Sequence, residues 1–180
     1  MERCKWVNLE NKIYVDYHDN EWGKINFDEK YLFEILILEG FQAGLSWECV
    51  LNKREELRKA FDKFDYKKIS NYDEKKINQL LNNKNIIRNK LKINAAITNA
   101  KVFIEIQKEF KSFQNYICAF TNNKVIKNMD DKLKTTSELS DTISKDLKKR
   151  GMKFVGSTII YSYLQAIGII DDYELSCYLY

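Results

Sequence analysis

The chain reads as an all-α protein. Three observations point there: apolar residues recur at helical spacing over most of its length, residues able to cap helices precede several of those runs, and strand-like alternation is weak throughout. At 180 residues, with 44% hydrophobic and 13% aromatic residues, it has the material for one cored domain spanning 1–180. There is no proline, so Gly, Asn and Asp must mark the helix ends.

The elements follow in order. Asp28 can cap a helix reaching about Gly40, with Tyr31, Leu32, Ile35, Leu36 and Leu38 on its buried face. Glycines 40 and 44 predict a break before the next helix, which Ser46 can cap. In it Trp47, Val50, Leu51, Leu57, Ala60, Phe61 and Phe64 keep helical spacing. Asp73 opens a short helix containing Ile77, Leu80 and Leu81. A long helix is expected from about Lys90 to Phe110, and another over 112–121. Residues 122–136 have little period and are expected to form an exposed loop. Ser140 can cap a helix reaching Arg150, which Gly151 would end in the left-handed conformation. Ser157 to Ile167 is the last clear helix. The N- and C-terminal segments are expected to pack together beside this helical core.

Charge says less. The net charge of +4 permits nucleic-acid binding without arguing for it. MERCKWVNLE is no signal peptide, and no apolar run approaches the roughly 20 residues that span a bilayer. A cytoplasmic protein that meets no membrane is the expectation. Its four cysteines are then thiols or metal ligands rather than disulfides. Cys49 and Cys118 fall inside helical patterns and are expected in the core.

Chemistry gathers near the N-terminus. All three tryptophans precede residue 48, and IYVDYHDNEWG packs aromatics into a poorly periodic stretch. In LEGFQAGLSWECVL a carboxylate, Glu39, directly follows an apolar run, with Gln42, Ser46 and Trp47 close behind. For any single aromatic here, core filling is the simpler account. As a set they suit a pocket for a planar, cationic ring with N–H donors. Aromatic faces attract positive charge, and a carboxylate accepts charge-assisted hydrogen bonds. A nucleobase alkylated on a ring nitrogen has both properties.

MERCKWV, YHDNEWG, LEGFQAGLSW and KKRGMKFVGSTIIYSYLQA resemble the type I 3-methyladenine-DNA glycosylase family of bacteria, in order and spacing, from residue 1 to about 177. The resemblance implies a helix-hairpin-helix DNA glycosylase fold. It implies a monofunctional base-excision repair enzyme that flips 3-methyladenine out of alkylated double-stranded DNA. Hydrolysis of the N-glycosidic bond then leaves an abasic site. Residue by residue, Glu39 matches the family's base-recognising glutamate, Tyr17 a tyrosine that contacts the base, and Trp47 a tryptophan that stacks on it. Trp6, Trp22 and Tyr14 match further aromatic positions of the pocket. A monomer is expected. A catalytically silent binder of alkylated DNA or modified bases is the competing reading. The retained Glu39, Tyr17 and Trp47 favour the enzyme.

Residues 147–158, LKKRGMKFVGST, would form the hairpin. Lys149, Gly151, Lys153, Gly156 and Ser157 are its candidate contacts to the DNA backbone. KNIIRNKLK, 84–92, is a second basic turn whose role stays open. Asp171 and Asp172 follow the last helix and read as helix-end solvation. The family also carries a structural zinc held by two cysteines and two histidines. Cys4, His18 and Cys177 match three of these ligands, and Tyr173 stands where the second histidine belongs. Three arrangements are open. Zinc binds with Tyr173 or a water as the fourth ligand, a neighbouring acid such as Asp172 or Glu174 completes the site, or packing replaces the metal.

Overall fold

The structure is a computed structural model that describes residues 1–128 and 134–180. Ten α-helices are found among the described residues. Helices α1 (Lys12–Asn20), α2 (Glu29–Gln42), α3 (Trp47–Asn52) and α4 (Arg54–Ala60) come first, then α5 (Tyr66–Ile69) and α6 (Glu74–Asn82). Helices α7 (Lys90–Phe110), α8 (Phe113–Thr121), α9 (Glu138–Lys149) and α10 (Ser157–Ala166) complete the set. Two two-residue strands, β1 (Ile126–Lys127) and β2 (Ile170–Asp171), pair in parallel with Ile126 opposite Ile170. Two residues give alternation nothing to show, so the pair left no mark on the sequence pattern.

Helix α2 is the axis of the fold. Its residues Leu32 to Phe41 are all buried, as a helix apolar on every side must be. Helices α3, α7, α8 and α10 pack around it. Asp28 caps its start through the amide of Tyr31. Glu29, in its first turn, accepts the amides of Phe113 and Gln114 and so ties α2 to the start of α8. Gly40 does not break the helix. A Cβ there would lie 3.2 Å from Cβ of Phe154 and 3.3 Å from its carbonyl oxygen, so glycine admits the α9–α10 turn against α2.

Several boundaries shift from the sequence reading. α1 forms although its stretch looked aperiodic, because one face packs aromatics and the other is solvated. The long run after Ser46 divides into α3, α4, a 3-10 turn over Asp62–Phe64, and α5. α9 is capped by Ser137 rather than Ser140. Ser140 is its third residue and completes a reciprocal capping box. Gly151 does end that helical segment, with φ of +101°. Part of the expected 122–136 loop, 129–133, lies outside the described residues.

Candidate functional site

Two carboxylates are buried on α2, and their surroundings differ. Glu34 is neutralised. Arg54 Nε donates to its Oε1, and Arg58 Nη2 lies 2.8 Å from the same atom. Arg54 also bonds Glu21 at 2.7 Å, which joins the end of α1 to α2 and α4. Glu39 is 3% exposed, and among the described residues it has no ion partner and its Oε2 no hydrogen-bond partner. Burial alone pushes its pKa up from 4.5 to about 8. A buried, unpaired carboxyl costs stability and contributes nothing to the core. Glu34 explains itself as structure. Glu39 calls for a ligand.

The ligand space is a cavity of about 640 Å³. Glu39, Gln42, Tyr17, Tyr14, Trp6, Trp22 and Trp47 line it. Tyr17 and Trp47 approach each other at 5.5 Å between centroids with their planes inclined by 55°. Trp6 sits at the hub, 5.4 Å from Tyr14 and 5.0 Å from Trp22. The Tyr17 hydroxyl is buried and without a partner, like Glu39. Burial first, then the nearby Glu39, pushes the Tyr17 phenol well above its usual pKa, so it stays a donor. The six candidates Glu39, Tyr17, Trp47, Trp6, Trp22 and Tyr14 therefore converge on one space. The Gly44-containing turn after α2 places Trp47 there, while Ser46 caps α3 through the amide of Cys49.

Three features escaped the sequence. Leu45, 41% exposed, stands at the tip of the turn between pocket residues Gln42 and Trp47. Its signal was a large apolar residue between Gly44 and the capping Ser46. Lys92 is buried and donates to the carbonyls of Phe41 and Ala43 at 2.7 and 2.6 Å, which fixes the end of α2. Asp172 is not solvated as expected. It accepts bonds from Asn128, Tyr161 and Gln165 and lines the cavity. Two of those donors sit on α10, 11 and 7 residues back, and the third, Asn128, is 44 residues away, a meeting that local pattern cannot foresee. Asp171 faces Lys127 at 3.7 Å.

The α9–α10 turn carries the other candidates. Asn99 of α7 is buried, accepts the Lys153 amide at 2.8 Å and donates to the Lys153 carbonyl at 2.9 Å. The turn is thus held from beneath, one helix away from Glu39. Gly156 is the N-cap of α10 with no side chain to cover the helix end, and a Cβ there would meet open space. Ser157 Oγ lies 2.8 Å from Ser140 Oγ, so its hydroxyl is engaged within the hairpin. Lys149 is exposed at the end of α9, and Gly151 follows it in the turn.

The terminal segments meet as expected. The sulfurs of Cys4 and Cys177 and a ring nitrogen of His18 all lie within 4.8 Å of one another, and all three residues are buried. Cys177 Sγ is 3.5 Å from His18 Nε2. His18 Nδ1 lies 2.8 Å from Asp19 Oδ1, and Arg3 holds that carboxylate. A carboxylate behind the imidazole fixes the tautomer that leaves Nε2 for a metal. Two thiols and an imidazole at these separations fit zinc. Among the described residues no further His, Cys, Asp or Glu joins them. Glu174 accepts the Lys5 amide, and Asp172 is engaged by Asn128, Tyr161 and Gln165. Cys118 is buried as expected, while Cys49 is only half-buried.

An aromatic cup around an unpaired carboxyl, in an all-α frame with a basic hairpin beside it, defines a protein that reads a flat ring bearing N–H donors. The comparisons with known proteins narrow that class. The methyladenine glycosylase family model matches residues 6–180. The DNA-3-methyladenine glycosylase of Haemophilus influenzae is 44% identical over 178 residues, covering 97% of this chain and 96% of that protein. A crystal structure of 3-methyladenine DNA glycosylase I superposes with a TM-score of 0.94 at 42% identity, covering 98% of both chains. A Tyr-to-Phe variant of 3-methyladenine DNA glycosylase I in complex with 3-methyladenine superposes with a TM-score of 0.92 at 30% identity, covering 99% of this chain and 97% of that one. The chain belongs to the methyladenine glycosylase family.

Proposed function

We propose that this chain is a monofunctional DNA-3-methyladenine glycosylase acting on alkylated double-stranded DNA. One observation carries the reading: Glu39 is a buried carboxyl with an unsatisfied oxygen at the end of an aromatic cup. The family membership and the likeness to a structure holding 3-methyladenine support it.

The turn between α9 and α10 is read as the helix-hairpin-helix grip on the DNA backbone. Lys149 and Lys153 supply charge, Gly151 shapes the turn with its own amide bonded to the Lys148 carbonyl, and the amides of Gly156 and Ser157 at the start of α10 meet a phosphate. Leu45 enters the gap that a flipped base leaves in the stack, which offsets part of the unstacking cost of a few kcal/mol. The base then enters the cup. Trp47 stacks on it and Tyr17 contacts it, with Trp6, Tyr14 and Trp22 closing the walls. Glu39 accepts its N–H donors, and the positive ring draws the carboxyl into its ionised form.

The chemistry asks little more. A 3-methylated adenine in DNA is cationic. When its glycosidic bond breaks, the bonding pair moves into the ring and neutralises it. The sugar becomes oxocarbenium-like, water adds at C1′, and the water's proton passes to solvent. Glu39 serves by recognition and electrostatics, because a carboxylate holding the base is poorly placed to attack the sugar.

Zinc, in this reading, would be held by Cys4, His18 and Cys177. Bound there, it would sit between the two ends of the chain and take no part in the chemistry. Burial pushes the Cys4 thiol up to about 12, so binding must displace a proton. The protein acts as a monomer in the cytoplasm. Among the described residues no helix is long and apolar enough to cross a membrane.

The test is chromatography of bases released from methylated duplex DNA by the wild type, Glu39→Ala and Tyr17→Phe. Free 3-methyladenine, reduced in both variants, supports the enzyme. No release by folded protein, with or without zinc, would leave a silent binder of damaged DNA as the better account.

A further inference from the structure

Tyr173 occupies the position of the missing fourth ligand, yet its oxygen is turned to other work. The hydroxyl donates to the backbone carbonyl of Trp22, 151 residues away in sequence. A phenol that donates its proton to a carbonyl is not a metal-binding phenolate. The ring stands edge-on to Trp22 at 4.8 Å between centroids, with an interplanar angle of 89°. It also meets His18 edge-on at 5.9 Å. Residue 23 is glycine where the ring passes. A Cβ there would fall 2.7 Å from Cε2 and the hydroxyl of Tyr173. The tyrosine thus fills a slot that this chain keeps open for it.

Other contacts cross the same seam without a metal. The Tyr178 amide donates to the Glu2 carbonyl at 2.9 Å, and the Lys5 amide to Glu174 at 2.9 Å. The Arg3 guanidinium lies over the Tyr178 ring, 5.9 Å from its centroid. Tyr173 differs from these in its reach. It touches Trp22, a wall of the base cup, and itself lines the cavity.

We infer that Tyr173 is a positioning residue that does the task of a fourth metal ligand: it ties the C-terminal segment to the end of α1 and sets Trp22. The seam and the base cup are therefore independent of bound metal in this chain. A three-residue thiol and imidazole set still accepts zinc, but the ion is exchangeable and the fold does not wait for it. The link to base binding rests on the function proposed above. The link to stability does not.

The experiment uses the whole chain as wild type, Tyr173→Phe and Tyr173→His, each loaded with zinc and each treated with a strong chelator. Three quantities are read: zinc content, Tm, and the affinity for free 3-methyladenine from tryptophan quenching. Wild type is expected to lose its zinc with a Tm change under about 3 °C and less than a twofold change in affinity. Tyr173→Phe, which loses the Trp22 bond, should drop in Tm to the same extent with and without zinc, and bind the base several-fold more weakly. Tyr173→His, which regains a ligand and loses the brace, should become zinc-dependent, its Tm separating by about 10 °C or more between the two states. The inference is overturned if chelation lowers the wild-type Tm by about 10 °C or more, or if Tyr173→Phe matches wild type in the chelated state. Failure of every variant to bind 3-methyladenine would instead sink the proposed function and leave the Tm comparison to decide the brace.

Discussion

Replacing Glu39 with glutamine should stabilise the protein at alkaline pH and leave it nearly unchanged at acid pH. The reason lies in where the carboxyl loses its proton. Its native pKa, about 8, lies above the ordinary value of 4.5 that holds in the unfolded chain. Below pH 4.5 both states are protonated and nothing distinguishes them. Between 4.5 and 8 the unfolded chain ionises first, binds fewer protons than the native state, and stability falls as pH rises. Above 8 the loss is complete. With the cup dry, the gap corresponds to about 5 kcal/mol. Water entering the cavity offsets part of it, so a gain of at least about 2 kcal/mol is expected for Glu39→Gln at pH 8.5. That is roughly 4–8 °C in Tm for a chain of this size. Thermal unfolding of both proteins at pH 5 and pH 8.5 makes the comparison, and the change in their difference cancels any pH-independent effect of the amide. A difference that stays constant across that range would refute the reasoning, because it would mean that Glu39 is already ionised and paired in the native state.

Other consequences are as direct. Tyr17→Phe removes a buried hydroxyl with no partner, so its Tm should hold or rise while calorimetric affinity for 3-methyladenine falls by about three- to tenfold. Trp47→Ala should weaken the same affinity by roughly 1–3 kcal/mol through lost stacking. Lys149→Ala and Lys153→Ala should each lower the slope of log affinity against log salt on undamaged duplex by roughly 0.9, with affinity for the free base unmoved. Asn99→Ala removes both bonds under the hairpin turn and should cost about 1–3 kcal/mol in denaturant unfolding.

Much of this molecule was legible where local physics decides. Asp28, Ser46 and Asp73 cap the helices they were expected to cap, and the span of α7 follows its pattern to the residue. The cup was legible because an acid beside an apolar run, with aromatics near it, is costly unless used. What stayed hidden depends on contacts distant in sequence. Glu34 looks as exposed to doubt as Glu39 until Arg54 and Arg58 are seen beside it. Gly40 reads as a helix break and proves to be a docking point for Phe154. Tyr173 reads as a lost ligand, and only the fold shows the carbonyl of Trp22 at its hydroxyl. Asp172 reads as a solvated helix end, and two donors from α10 together with the distant Asn128 hold it at the cavity.

The measurement that bears most directly on the role of Glu39 compares turnover with binding. Single-turnover release of 3-methyladenine from a methylated duplex, and the affinity for free 3-methyladenine, are measured for wild type and Glu39→Gln. If Glu39 works by holding the base, both fall by similar factors, at least about tenfold. A rate that falls a hundredfold further than the affinity would contradict that account and place Glu39 in the bond-breaking step itself.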